Sequence, residues 1–420
     1  MFTHHLMNGI SHKVISNVKQ QNVVGIFMTR KCVLSVSAVS NHRCRHTHSG
    51  FTSNQLLSYT PPDWAKHLKM SPSVQVQLFQ PFTPIQKWNL PGVPSDIEVC
   101  IKRDDMTGCA LSGNKIRKLE FLLAEALSND CKAVITCGGV QSNHCRTTAV
   151  AARQLGLETH LLLRSRIKDP CELGSNGNML LNRLMGASMY LVPIKAQEKT
   201  DLIPRMQQLT NKLKKSKGIK AYSIPIGGSN VTGLHGYLNG WQELLDQGVI
   251  NRFDDIVLTV GSGGTAAGIS IGNYLTGSHL RIHAFAVCDT AAYFHSHINE
   301  TLDSIGIDTV RSEGIINIHE GAKGLGYGIS KPEELEFIKT VAKESSILLD
   351  PTYTGKAALA LTKELMRDRS KFKGRRILFL HSGGIFGMFD GQLGDTLTQS
   401  SGADPLVQNW MNPDGEPTIY

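Results

Sequence analysis

From Glu98 to His381 short apolar runs alternate with longer amphipathic ones, and that alternation limits the folds open to the chain. The apolar runs fall at 98–103, 132–136, 159–163, 189–192, 221–225, 255–260, 281–287, 347–349 and 376–380. Each reads as a strand. Helical patterns lie between them, among them 147–155, 179–185, 202–213, 231–245, 266–274, 293–305, 333–343 and 355–366. Most of the strands show no polar alternation, so both of their faces are buried. Parallel strands joined through covering helices meet that demand. The pattern predicts an α/β chain with open, twisted, mostly parallel sheets. At 420 residues the chain exceeds one typical domain. Ligands in such folds bind beyond the carboxyl ends of strands. Here those ends carry the turns Gly138-Gly139, Gly227-Gly228, Gly261 to Gly264 and Gly383-Gly384.

The net charge of +9 is unevenly spread. Met1 to Pro62 contains no acid but holds Lys13, Lys19, Arg30, Lys31, Arg43 and Arg45, so removing these six from +9 leaves +3 for the rest. That remainder gives no sign of nucleic-acid binding. The acid-free, Ser-containing leader with spaced basic residues has the character of a transit peptide, mitochondrial rather than plastid because of its scattered arginines. Its apolar run from Val23 to Val39 is split by Arg30 and Lys31, which argues against a bilayer span. The nine cysteines contain no Cys-x-x-Cys pair, and the spacing of Cys137 and Cys145 matches no zinc pattern, so no metal site is expected. The scattered set fits reduced thiols, with Cys145 reading as a buried, inert one.

Ser112-Gly113-Asn114-Lys115-Ile116-Arg117-Lys118-Leu119 opens a helix whose apolar residues recur at Ile116, Leu119, Leu123 and Leu127. Asn114 reads as its N-cap, which places Lys115 in the first turn. The helix dipole disfavours a cation there. An anionic ligand or a neutral amine removes the conflict. Gly261-Ser262-Gly263-Gly264-Thr265 follows a strand and opens a helix, a setting in which backbone amides bind phosphate. No Lys follows it, so it is not a Walker loop. Gln141-Ser142-Asn143 sits at another strand-to-helix turn, where Ser142 reads as an N-cap or as a proton carrier that needs a neighbouring base. Tyr327, Tyr353 and Thr354 lie near Gly-rich or Pro-bounded loops, and His381, at a strand end, reads as structurally satisfied.

Together, Ser-Gly-Asn-Lys-Ile-Arg-Lys-Leu, Gly-Gly-Val-Gln-Ser-Asn, Gly-Ser-Gly-Gly-Thr, Asp-Pro-Thr-Tyr-Thr-Gly-Lys and His-Ser-Gly-Gly resemble, in order and spacing, the 1-aminocyclopropane-1-carboxylate deaminase/D-cysteine desulfhydrase family of pyridoxal-phosphate enzymes. The resemblance runs from about Leu68 to Gly391. It implies the two-domain tryptophan-synthase-β-like fold (fold type II) and pyridoxal 5'-phosphate as cofactor. The implied organisation is a leader over 1–62, a large cofactor-binding domain over 63–117 and 228–400, a small domain over 118–227, and a tail over 401–420. By the same resemblance Lys115 holds the cofactor as a Schiff base, Asn143 meets its ring hydroxyl, and Gly261, Ser262, Gly263, Gly264 and Thr265 cradle its phosphate with Lys118. Ser142, Tyr327 and Tyr353 match catalytic positions. Gln141, Ser142, Asn143 and Ser382 match substrate-binding ones. A homodimer acting on a small amino acid, without membrane or nucleic acid, is also implied.

Two positions bear on the reaction. Where the deaminases carry a Glu facing the pyridine nitrogen, this chain has Thr354, and where they carry Leu in the His-x-Gly-Gly stretch it has Ser382. Opening a cyclopropane expels carbon and needs the strong electron sink that a carboxylate maintains. A thiol ionises near a pKa of about 8.5 and leaves more easily. The expected activity is β-elimination of D-cysteine to pyruvate, hydrogen sulfide and ammonia. The alternatives are deamination of 1-aminocyclopropane-1-carboxylate to 2-oxobutyrate, or cofactor binding without turnover. Lys115 and Ser142 are both candidates for the base that removes the α-proton.

Overall fold

A computed structural model describes residues 55–398. The strands are β1 (Leu57–Ser58), β2 (Val74–Gln75), β3 (Ile85–Lys87), β4 (Glu98–Arg103), β5 (Ala133–Gly139), β6 (Glu158–Ser165), β7 (Ser188–Pro193), β8 (Ala221–Ser223), β9 (Asp255–Val260), β10 (Arg281–Ala286), β11 (Asn317–His319) and β12 (Arg376–His381). The α-helices are α1 (Lys115–Ser128), α2 (Asn143–Gln154), α3 (Asn178–Leu184), α4 (Ile203–Lys217), α5 (Val231–Asp246), α6 (Val249–Arg252), α7 (Gly264–Leu275), α8 (Ala291–Ile305), α9 (Pro332–Ser345), α10 (Thr354–Arg367) and α11 (Gln392–Thr398). No helix among the described residues is long and apolar enough to cross a membrane.

Two sheets organise these elements within one compact unit. The larger has the order β11-β10-β9-β12-β4-β3 and is parallel except for the short edge strand β3. The smaller, β7-β6-β5-β8, is wholly parallel and lies inside the 118–227 segment. Every residue of β5 and β9 is buried, as their unbroken apolar runs require. Along β9, Ile256, Leu258 and Val260 pack with Leu238 and Trp241 of α5 and Ile269 of α7. The intervening Val257 packs with Ile338 of α9 and Leu361 of α10 on the opposite face.

The parallel strands β4, β9, β10 and β12 end on one edge of the larger sheet. The chain leaving β4 leads to Lys115, that leaving β9 to Gly261, that leaving β10 to Cys288, and that leaving β12 to Ser382. Topology alone thus gathers four loops.

Two features depart from the sequence reading. The stretch 347–349 makes no strand; Ile347 and Leu349 are buried and Leu348 is exposed, but no neighbouring edge pairs with them. The packed body starts before residue 63, since Leu57 and Ser58 pair with Gln75 and Val74, and Tyr59 packs edge-on against Phe121 at 4.6 Å. The leader before residue 55 and the tail over 401–420 lie outside the described residues. Of the described cysteines all have free thiols, and Cys145 is fully buried.

Helix α1 is anchored through Arg117, which is 3% exposed. Its guanidinium donates to both oxygens of Asp104 at 2.9 and 2.8 Å and to both of Glu243 at 2.9 and 3.1 Å. Lys102 of β4 supplies the second cation, bonded to Glu243. Tyr237 of α5 donates to Asp104 at 2.7 Å. Burial alone would raise the Asp104 carboxyl, but the adjacent guanidinium overrides it and holds the pKa at about 2. The Asp104 contribution to stability is therefore present above its unfolded pKa and fades as pH falls towards 2. Arg117→Leu strands two buried carboxylates beside one lysine. It is predicted to cost about 3–5 kcal/mol of folding stability in a denaturant titration at neutral pH.

Candidate active site

Lys115 opens α1 half-buried beside the gathered loops. Desolvation lowers its amine pKa to about 8, opposed only by the nearby Cys288. Asn114 does not cap the helix with its side chain as expected. It reaches sideways instead: its Nδ2 donates to Thr265 Oγ1 at 3.0 Å, and its backbone N–H donates to the Ser382 carbonyl at 3.0 Å. The start of α1 is thereby tied to the loops after β9 and β12.

One turn on, Lys118 is 1% exposed. Among the described residues its Nζ meets the Gly227 carbonyl at 3.2 Å and Ser229 Oγ at 3.4 Å. Burial, and then the neighbouring Lys115, push its pKa well below the usual lysine value. Burial and both lysines lower the pKa of His144, and burial and Lys118 lower that of His297. Among the described residues, no carboxylate pairs with Lys115 or Lys118. A buried cation without a counter-charge is costly. The local structure shows where an anion removes that cost. A Cβ on Gly264, the first residue of α7, would lie 2.7 Å from Ser229 Oγ and 2.9 Å from Lys118 Nζ. Ser229 Oγ also donates to Ser262 Oγ at 2.9 Å and accepts the Gly264 N–H at 3.2 Å. Helix N-terminus, hydroxyls and amine thus surround a space kept open by a missing side chain, which fits a phosphate. Ser229 and His297 were not picked out in the sequence. Ser229 carried a usable signal, because it follows the glycine pair between β8 and α5.

Ser142 caps α2, its Oγ accepting the Cys145 N–H at 3.2 Å. Its hydroxyl proton is not used in that bond. Asn143 Oδ1 accepts from Asn178 Nδ2 at 3.0 Å. Among the described residues the Asn143 amide nitrogen has no acceptor, so it is free to donate to a ligand. Gln141 is differently employed: its Nε2 donates to the Asn176 carbonyl and its Oε1 accepts the Asn178 N–H at 2.9 Å. Its side chain therefore braces a loop, at odds with the expectation that it meets substrate. Asn178, which the sequence reading overlooked, links Gln141, Asn143 and Arg146.

The two tyrosines meet through their hydroxyls at 2.7 Å. Tyr353 covers Gly261, where a Cβ would lie 2.9 Å from its Cε1; Tyr327 covers Gly139, with 3.1 Å to its Cε1. Both phenol pKa values are raised by burial, that of Tyr327 to about 12. Cys288, also overlooked, donates to the Gly261 carbonyl at 3.1 Å, and burial raises its thiol pKa to about 12. Ser382 is half-buried, with no hydrogen bond to its hydroxyl among the described residues. Thr354 departs from expectation. It is fully buried, and its hydroxyl donates to Asp350 Oδ1 at 2.7 Å and accepts the Asp350 N–H at 2.8 Å. It ties down a helix start rather than opening onto the cleft. His381 accepts the Gly383 N–H at 3.1 Å and meets the Leu348 carbonyl, a structural role.

An amine that is neutral near pH 8 beside an anion cradle suits capture of a phosphorylated aldehyde such as pyridoxal phosphate. Only the neutral amine attacks. Covalent uptake by the apoenzyme, followed by absorbance, is predicted to climb with pH through about 8 and then level off. Uptake that climbs only near the ordinary lysine pKa of about 10.4 contradicts this. Lys118→Met is predicted to retain covalent uptake but to weaken cofactor retention by about tenfold.

Comparison with known proteins bears on the same site. The family profile described as pyridoxal-phosphate dependent enzyme matches residues 76–383. The chain is 46% identical over 342 residues to the mitochondrial bifunctional D-cysteine desulfhydrase/1-aminocyclopropane-1-carboxylate deaminase of Arabidopsis thaliana, covering 79% of this chain and 83% of that one. It is 39% identical over 309 residues to a putative 1-aminocyclopropane-1-carboxylate deaminase of Thermotoga maritima, covering 73% and 95%. A crystal structure of an ACC deaminase homologue matches with a TM-score of 0.69 at 34% identity, covering 80% of this chain and all of that one. O-ureido-L-serine synthase shares the fold at a TM-score of 0.55 and 15% identity. On the strength of a profile spanning most of the sequence and relatives aligned along most of their length, the chain belongs to the pyridoxal-phosphate-dependent enzymes of fold type II.

Proposed function

We propose that the protein is a lyase that eliminates sulfide from D-cysteine, giving pyruvate, hydrogen sulfide and ammonia. The observation that carries this reading is a chamber holding two uncompensated lysines, one of them with its amine pKa brought down to about 8. The Arabidopsis relative's name supports the choice of substrate. Bound pyridoxal phosphate supplies an electron sink for charge developing at the substrate α-carbon. Lys118, Ser229, Ser262 and the amides opening α7 hold its phosphate. The Asn143 amide nitrogen donates to its ring hydroxyl. Lys115, with its depressed pKa, accepts the α-proton at Nζ. Ser142 keeps a hydroxyl proton to donate while its oxygen is fixed by the Cys145 N–H. Tyr327 and Tyr353 line the cleft over Gly139 and Gly261.

A second reading, deamination of 1-aminocyclopropane-1-carboxylate, is favoured by one observation. The same Arabidopsis relative carries both activities in its name. In either reading the segment 118–227 forms a small domain, with the cofactor between it and the remainder, and the enzyme is a homodimer. The acid-free leader directs the chain to the mitochondrion, a destination supported by the relative's name, with the plastid as alternative.

Purified holoenzyme is predicted to release sulfide and pyruvate from D-cysteine at least tenfold faster than from L-cysteine. Slower formation of 2-oxobutyrate from 1-aminocyclopropane-1-carboxylate is expected alongside. 2-Oxobutyrate without sulfide would transfer the assignment to the second reading, and bound cofactor with neither product would leave a binding protein.

A further inference from the structure

Lys356, in the first turn of α10, plays no part in the chamber described above, yet it is 1% exposed. Its ammonium has three N–H groups. Among the described residues they go to the backbone carbonyls of Lys323 at 3.0 Å, Gly326 at 2.9 Å and Ile329 at 2.8 Å. The acceptors recur at every third residue of one loop. Glu334, at 3.8 Å, is the nearest counter-charge, and its Oε2 also accepts the Lys331 N–H.

That loop connects β11 to α9 and contains Gly321, Gly324, Gly326 and Gly328, with φ of 102°, 61°, 141° and 71°. Glycines in left-handed conformations are costly to order. The other ties on the segment are two turn bonds at 3.2 Å, from the Gly326 N–H to the Lys323 carbonyl and from the Ile329 N–H to the Gly326 carbonyl, the Tyr327–Tyr353 hydroxyl contact at 2.7 Å, Ser330 Oγ to the Pro351 carbonyl at 2.9 Å, and Gln392 to Gly328 and Ser330. Tyr327 stands between Gly326 and Gly328. A side chain flanked by two glycines has no local means of holding its direction. A buried ammonium is a costly occupant where a methionine would fill similar space. Burial lowers the Lys356 pKa, with Glu334 opposing.

We propose that Lys356 is a positioning residue, a tethered cation around which 323–329 winds and which thereby sets Tyr327 against Tyr353 and Gly139. The inference rests on the proposed function only through the place of Tyr327 in the reaction site.

The test uses the holoenzyme. Lys356→Met is expected to lower kcat tenfold or more with less than a threefold change in KM, while cofactor content and its absorbance stay unchanged. Amide exchange over 321–330 is expected to accelerate at least tenfold. Lys356→Ala leaves room for a cation, so added methylammonium is expected to restore activity to it and not to Lys356→Met. In a Tyr327→Phe background, Lys356→Met is expected to cost less than threefold more, because both changes act through one side chain. The proposal is overturned if Lys356→Met keeps kcat within twofold, or if its loss persists in full when Tyr327 is already Phe. Should the Met variant fail to fold, Lys356→Arg serves: a planar fork cannot satisfy three carbonyls set for an ammonium, and full kcat in that variant also overturns it. If wild-type enzyme turns over neither proposed substrate, the functional reading fails, and the exchange measurement alone still decides the role of Lys356.

Discussion

The site depends on one guanidinium. Arg117 joins Asp104, which follows β4, to Glu243 of α5, and so fixes helix α1 in rotation and in depth. Two residues before it on the same helix stands Lys115, and one residue after it stands Lys118. Among the described residues neither lysine has an anion to hold it. Their direction is set by the backbone they share with Arg117. Charges are therefore balanced where rigidity is needed and left unbalanced where a ligand binds. The first arrangement carries two cations and two anions. The second carries two amines and two neutral imidazoles.

Desolvation acts differently on each side of this helix. Around Arg117 the paired guanidinium outweighs it, so Asp104 stays ionised. Around Lys115 it acts on an amine without a partner and lowers its proton affinity. The same buried setting gives a permanent charge and a nucleophile within one helical turn. The glycine at the start of α7 contributes by omission, since any side chain there would fill the space that Lys118 and Ser229 border.

Much of this was legible in the sequence because it rests on local pattern. Unbroken apolar runs at 132–136 and 255–260 required burial on both faces, and the sheets are parallel. Glycine turns at strand ends marked where the loops gather. Ser142 read as an N-cap and is one. What escaped depends on distant partners. Arg117 looks like a surface residue until Asp104 and Glu243 are placed beside it. Ser229, His297 and Cys288 reach the chamber from three separate segments, and no spacing rule links them. Thr354 seemed to face the ring because its neighbour Asp350, four residues earlier, gave no hint that it would claim the hydroxyl. The three-residue strands β3 and β11 are too short to show a period.

The central claim is that the lysine opening α1, and not the one a turn later, carries the coenzyme. Borohydride reduction of the loaded enzyme followed by peptide mass mapping tests it directly. The pyridoxyl mass is predicted on Lys115 alone, with Lys118 unmodified. A label on Lys118, or on a lysine outside α1, would contradict it.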